Sequence, residues 1–198
     1  MAVRKTYLHL PVKVLAYVAI MAALGNALAI LSIDLVPLSG SQVALDLSHL
    51  ATFLSAIPGG PIVGLFTGAL VGIYPALAFG YIHGSLGIVG LTLIAGKGLT
   101  GITCGALQRR LKRPLLSVTA GYVPECLFTI AIFVWVVPAV GIMPVSVAWT
   151  VVLFIVAKAW IEILFMGFVM ESVFLSRGIV HMLRIIFPQW DYTPLSEL

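Results

Sequence analysis

Four ionisable side chains, Lys97, Glu125, Lys158 and Glu162, fall near the middle of long apolar stretches in a chain of 198 residues. A charge at bilayer depth costs about 3 kcal/mol on insertion scales and more in simulation, so such residues are paired, functional or both. Two bases and two acids form a balanced set. It suits either internal salt bridges or a polar, zwitterionic ligand with donor and acceptor edges. Lys158 and Glu162 stand at i, i+4 and share a helix face, which permits a same-helix salt bridge. Lys97 and Glu125 have no such neighbour. They pair between helices, meet the Lys158–Glu162 pair, or face a wet cavity, and polar groups converging from neighbouring helices define a ligand site.

A second polar group lies nearer the expected outer face. Gln42, Asp46 and His49 recur at i, i+4, i+7 at the start of a predicted helix. They line the mouth of such a cavity, or else serve as caps and surface contacts. His83, in the next outer loop, joins Asp46 and His49 as a candidate substrate contact, whereas Asp34 reads as a solvated interface residue. Pro124, directly before Glu125, frees a backbone carbonyl in the preceding turn.

No catalytic arrangement accompanies these residues. The chain has no His-Glu-x-x-His, no Gly-x-Ser-x-Gly and no phosphate-cradling loop ending in Lys-Ser/Thr. It is expected not to be an enzyme and to need no metal or other cofactor. Cys104 and Cys126 sit in apolar stretches without metal-ligand spacing and read as small buried hydrophobes.

The elements that position the polar set must be membrane helices. The chain is 61% hydrophobic and 9% charged, against about 25% charged in soluble domains. Runs of about 20 apolar residues are long enough to cross a bilayer. The runs predict six spans, at 14–33, 43–57, 61–80, 86–107, 115–137 and 145–175, in a single membrane domain. The second is short. Pro58-Gly59-Gly60-Pro61 predicts a tight hairpin between the second and third. The first run is longer than the usual 7–15 residue core of a signal peptide and reads as a retained span.

Basic residues orient the set. Arg4, Lys5 and Lys13 precede span one; Arg109, Arg110, Lys112 and Arg113 separate spans four and five; Arg177 and Arg184 follow span six. The opposite loops, 34–42, 81–85 and 138–144, contain no Lys or Arg. The positive-inside rule then places both termini in the cytoplasm of a multi-pass cell-membrane protein. The 109–113 cluster is too short for nucleic-acid recognition and reads as a topology anchor, or as a contact for anionic lipid or a cytoplasmic partner. Trp135 and Trp149 suit an interfacial aromatic belt, residues 176–187 an amphipathic helix, and the tail from Pro188 a mobile polar segment.

Small residues form two stripes. Ala19, Ala23 and Ala27 repeat every four residues on span one, and Gly60, Gly64, Gly68 and Gly72 do so on span three. Small residues let membrane helices approach closely. The glycines are expected to pack the bundle. The alanines suit either the bundle or a sliding contact with a partner.

The segment AYVAIMAALGNALA, the segment LATFLSAIPGGPIVGLFTGALVGI and the six-span, both-ends-inside architecture resemble the substrate-binding S components of energy-coupling factor (ECF) transporters. The resemblance implies an all-α six-helix membrane bundle that captures a vitamin or related micronutrient from outside. It implies partners: a transmembrane T subunit and two cytoplasmic ATPase subunits. In that family an Ala-x-x-x-Ala face on helix one contacts the T subunit, and Ala19, Ala23 and Ala27 match it, with Ala16 an alternative register. Family members hold substrate with helices four to six and the outer loops, where Lys97, Glu125 and Lys158 lie. The cobalt and nickel members start Met-His; this chain starts Met-Ala-Val, which argues against metal uptake. Two other classes stay open. One is a structural membrane protein whose buried charges lock its helices. The other is a stand-alone proton-coupled carrier titrating Glu125 or Glu162, disfavoured by the lack of an inverted repeat.

Overall fold

A computed structural model describes residues 11–35, 46–82, 84, 86–190 and 192, apart from the side chains of residues 34 and 35. Among the described residues the regular structure is all helical, with no strand. The hydrocarbon core of a bilayer offers no water to satisfy backbone groups, so helices that satisfy their own are the expected outcome. In chain order they are α1 (Val12–Ile30, prolonged by a π turn at Leu31–Leu35), α2 (His49–Val71) and α3 (Ile73–Leu77, prolonged by a π turn at Ala78–Ile82). A 3-10 turn at Gly87–Leu91 leads into α4 (Thr92–Leu111), followed by α5 (Pro114–Gly121) and α6 (Val123–Ala131). A π turn at Ile132–Val136 and α7 (Val137–Ala139) precede α8 (Val145–Leu175) and α9 (Arg177–Ile186). Among the described residues, five segments are long and apolar enough to cross a membrane: Val12–Ile33, His49–Ile82, Gly87–Leu111, Pro114–Ala139 and Val145–Leu175.

The second of these segments is folded on itself. Gly60, inside α2, has φ 76° and ψ −166°, a region open essentially only to glycine. A Cβ placed on Gly64 would meet Ala56 at 2.8 Å, and one on Gly68 would meet Thr52 at 3.2 Å. In a straight helix those pairs would stand about 12 and 24 Å apart. The arms 49–59 and 61–71 therefore run antiparallel, as Pro58-Gly59-Gly60-Pro61 predicts. The first arm, about 16 Å long by helix rise, is shorter than the hydrocarbon core.

Contacts along the helices give an up-and-down order. The second arm of α2 descends against α4 with Gly60 beside Gly105, Gly64 beside Gly101 and Gly68 beside Lys97. Here the glycine stripe brings two backbones together inside the bundle, leaving no room for side chains. Asn26 ties α1 to this layer, donating to the Leu70 carbonyl at 2.9 Å and accepting from the Tyr74 N–H at 2.8 Å. Cys104 packs on Gly121 and Gly167 on Leu115, so α5 and α8 complete the series. Phe53, Ile57, Val118, Ile163, Met166 and Met170 are buried in the core. The outside is apolar, with Ile20, Phe66, Leu153, Phe154, Phe165 and Phe168 exposed.

One end of the bundle gathers basic residues. Arg109 lies against the Gly60 turn, Lys13 Nζ donates to the Ile185 carbonyl at 2.8 Å, and Arg184 donates to the Tyr192 carbonyl. Amphipathic α9 buries Val180 and Leu183 and exposes Arg177, His181 and Arg184. The segment after it departs from the expectation of a mobile tail. Trp190 and Tyr192 stack at 5.2 Å and both pack edge-on against Phe174, since aromatic rings carry large apolar area and favour edge-to-face contact.

Three of the expected spans depart from a continuous α-helix over their predicted ranges. The described part of span two starts at His49, with Asp46 ahead of it and Leu47 and Ser48 in a turn. Asp46 therefore does not share a helix face with His49: its carboxylate accepts from the Ser48 N–H at 3.1 Å, a local bond that competes with helix formation. Gln42 lies outside the described residues. Span five is broken at Tyr122, two residues before Pro124, which has no N–H for the ladder. Span four begins with a 3-10 turn.

Candidate functional site

The buried ionisable residues meet. α4 presents Lys97, which is 1% exposed. Its ammonium donates to Asp46 Oδ2 at 2.6 Å and to Ser48 Oγ at 2.7 Å. The Asp46 N–H in turn donates to Glu162 Oε1 at 3.2 Å, and Lys158 Nζ lies 3.1 Å from the same oxygen. On the other side of Lys97, α6 presents Glu125, which accepts from Thr100 Oγ1. His49 Nε2 stands 3.6 Å from Glu125 Oε1, too far for a hydrogen bond. His49 Nδ1 is buried and has no hydrogen-bond partner among the described residues.

The result is a polar layer drawn from the start of α2 and from α4, α6 and α8. It lies in the interior: by helix rise Lys97 is about 12 Å along α4 from Gly105, which packs on the Gly60 turn. Local sequence explains the convergence. Gly64, Gly68 and Gly101 draw α2 against α4, and Gly96 leaves its flank open to Glu125, whose Cγ is 3.3 Å from where a Cβ would stand. Tyr122 packs edge-on against both His49 and Trp160, holding the first arm of α2 to α6 and α8.

Six of the seven expected substrate contacts, Lys97, Glu125, Lys158, Glu162, Asp46 and His49, fall in or beside this layer. His83 and the side chain of Asp34 lie outside what is described. The pairing within the layer differs from a Lys97–Glu125 bridge: Lys97 takes Asp46 and Ser48, and Glu125 takes Thr100 and faces His49. Lys158 and Glu162 form the i, i+4 pair that their spacing allows. Ser48 and Thr100 were not singled out from sequence. Thr100 follows Lys97 by three residues on one helix, the only signal that marked it. The carbonyl of Gly121, at the break before Pro124, accepts from Thr103 Oγ1.

A cavity of about 20 Å³ touches Glu125, Gly96 and Phe128, space for about one water. Among the described residues no group of three or more His, Cys, Asp or Glu is arranged to hold a metal ion. Ala16, Ala19, Ala23 and Ala27 are all exposed along α1. Trp135 and Trp149, either side of the loop before α8, are exposed as well.

No protein-family model, curated protein or solved structure matches the chain.

Proposed function

We propose that this chain is the substrate-binding S component of an ECF-type transporter. It would hold a vitamin-like micronutrient in the polar layer and pass it inward with a T subunit and two ATPase subunits. In this reading the two arms of α2 count as separate spans, giving six, with both termini and the basic end in the cytoplasm of the cell membrane. The chain itself performs no catalysis. The observation that carries the reading is the convergence of six ionisable side chains, five from four helices and Asp46 from just ahead of α2, inside an apolar bundle. Such residues in membrane proteins mark ligand pathways more often than bulk packing. The orphaned His49 Nδ1 adds a buried polar atom that a solute satisfies. The exposed alanines of α1 offer a flat face for the T subunit.

Lys97 favours a second reading. At 1% exposure its ammonium is already met by Asp46 and Ser48, as in a bundle whose charges only lock helices. The two readings differ in what must move: solute binding requires Asp46 to release Lys97, and locking requires that it never does. Co-purification from native membranes separates them. The transporter reading expects an ATPase-containing complex that imports a small solute. A chain recovered only with cell-envelope proteins, and without ATPase, contradicts it.

A further inference from the structure

Asp46 upsets the balance of two acids and two bases that the spans alone would give. Between Lys13 and Arg109 the only Lys or Arg is Lys97, and between Arg113 and Arg177 it is Lys158. In the polar layer these two ammoniums meet three carboxylates, Asp46, Glu125 and Glu162. Lys97 is taken by Asp46 at 2.6 Å and Lys158 lies 3.1 Å from Glu162. Glu125 is left over. It is 6% exposed, and its polar neighbours among the described residues are the Thr100 hydroxyl and the His49 ring.

His49 does not supply the missing charge. An imidazolium needs an acceptor on each nitrogen. Here Nδ1 has no partner among the described residues, and Nε2 stands 3.6 Å from Glu125 Oε1, beyond hydrogen-bond reach. A carboxylate held in an apolar bundle without a counter-ion is expensive, and intramembrane carboxylates pair with a cation or line a ligand path.

Glu125 is placed to take that cation from outside the chain. It is the one ionisable side chain lining the cavity of about 20 Å³, which Gly96, Val89, Thr129, Phe128 and Phe133 also border. Phenyl rings attract cations through the negative potential of their faces, and Thr129 adds a hydroxyl one turn after Glu125. The alternatives leave the layer worse matched. An anion arriving at Lys97 displaces Asp46 and leaves two carboxylates without a counter-ion. A zwitterion brings as much negative as positive charge and leaves the layer one cation short.

We infer that the layer takes an organic solute of one net positive charge, with its ammonium or cationic ring against Glu125 and a hydrogen-bonding edge at His49 Nδ1. The inference rests on the uptake reading above and narrows its solute to a cation.

The test is thermal unfolding of the full chain in nanodiscs at constant ionic strength, with micronutrients sorted by charge. Thiamine and choline are the cations, riboflavin and nicotinamide the neutral compounds, biotin and pantothenate the anions. The expected result is a Tm several degrees higher with at least one cation, lost in Glu125→Gln. Stabilisation by a neutral or anionic compound while neither cation acts leaves uptake standing and overturns the charge assignment. No stabilisation by any compound contradicts both. A matching rise with sodium chloride alone overturns the organic assignment. The ligand-free protein gives a second readout. Glu125→Gln, which removes a charge without a counter-ion, should keep or raise Tm, whereas Asp46→Asn, which strips Lys97 of its partner, should lower it. A fall of several degrees in ligand-free Glu125→Gln would mean that Glu125 is already paired, and overturns the inference.

Discussion

Lys97 on α4 and Asp46 ahead of α2 close on each other at 2.6 Å, with only 1% of the lysine side chain exposed. The pair joins residues 51 positions apart in sequence. It also sets the central mechanical question of the site, because any solute that reaches the ammonium must displace a carboxylate already there. Removing one partner of a buried pair leaves the other charge uncompensated, at a cost of about 3–5 kcal/mol. Lys97→Met should therefore lower Tm sharply, and adding Asp46→Asn should restore part of the loss. A thermal-unfolding double-mutant cycle measures the coupling; additive losses would mean that the two side chains do not act as a pair.

The contact between α2 and α4 rests on absent side chains. Gly64 and Gly101 each stand so close to the other's backbone that a Cβ on either overlaps it. Backbone cannot yield as a side chain end does. Gly64→Leu or Gly101→Leu should cost at least the 1–3 kcal/mol typical of overpacking, read as lost thermal stability. The same change at Gly87 or Gly141 meets no atom within 4 Å. Their positive φ values, 54° and 75°, make those substitutions a control for backbone strain without a clash.

Gly60 is expected to fail for a different reason. Its φ of 76° and ψ of −166° lie where a side chain costs about 1–3 kcal/mol of strain, and Arg109 fills the space beside it. Gly60→Ala should destabilise the hairpin between the two arms. Proteolysis of the 58–61 turn in native-like discs gives the readout, with faster cleavage in the variant. Unchanged cleavage and unchanged Tm would mean that the turn tolerates a side chain.

The alanines of α1 separate folding from assembly. Ala23 is exposed, and its neighbour Ala22 is buried at 7%. Ala23→Leu should leave the unfolding free energy within about 0.5 kcal/mol of wild type, as surface substitutions usually do, and should reduce recovery of the complex with the proposed T subunit. Ala22→Leu should destabilise the isolated chain. Equal complex recovery with both exposed-face variants, Ala19→Leu and Ala23→Leu, would place the partner elsewhere.

Much of this architecture is legible in the residues alone. Hydropathy marks α8 at its observed bounds, 145–175, because a span in hydrocarbon is specified by composition over its length. The Pro-Gly-Gly-Pro reversal is likewise local chemistry. The intramembrane charges announce themselves because so little else in the spans is polar. What is not legible is their pairing. That Lys97 takes Asp46 rather than Glu125 depends on the register of α2 against α4, set by glycine contacts whose partners no spacing rule names. Asp46 leaves the helical pattern because its carboxylate bonds the Ser48 N–H, a choice that i, i+4 spacing hides. That the Gln108 amide has no hydrogen-bond partner among the described residues is invisible in sequence, since an unsatisfied group is defined by what fails to surround it. The anchoring of Trp190 and Tyr192 on Phe174 runs against the polar composition of the tail for the same reason.

Ligand-dependent thermal unfolding, across a panel of vitamins and their precursors, bears most directly on solute capture by the polar layer. Wild-type protein should be stabilised by at least one compound, by about 2.7 kcal/mol when the free ligand stands at one hundred times its Kd. Glu125→Gln, which removes the charge facing His49 but keeps the shape, should fold and lose that stabilisation. A panel with no stabilising compound, or one that stabilises Glu125→Gln as much as wild type, would contradict capture at this site.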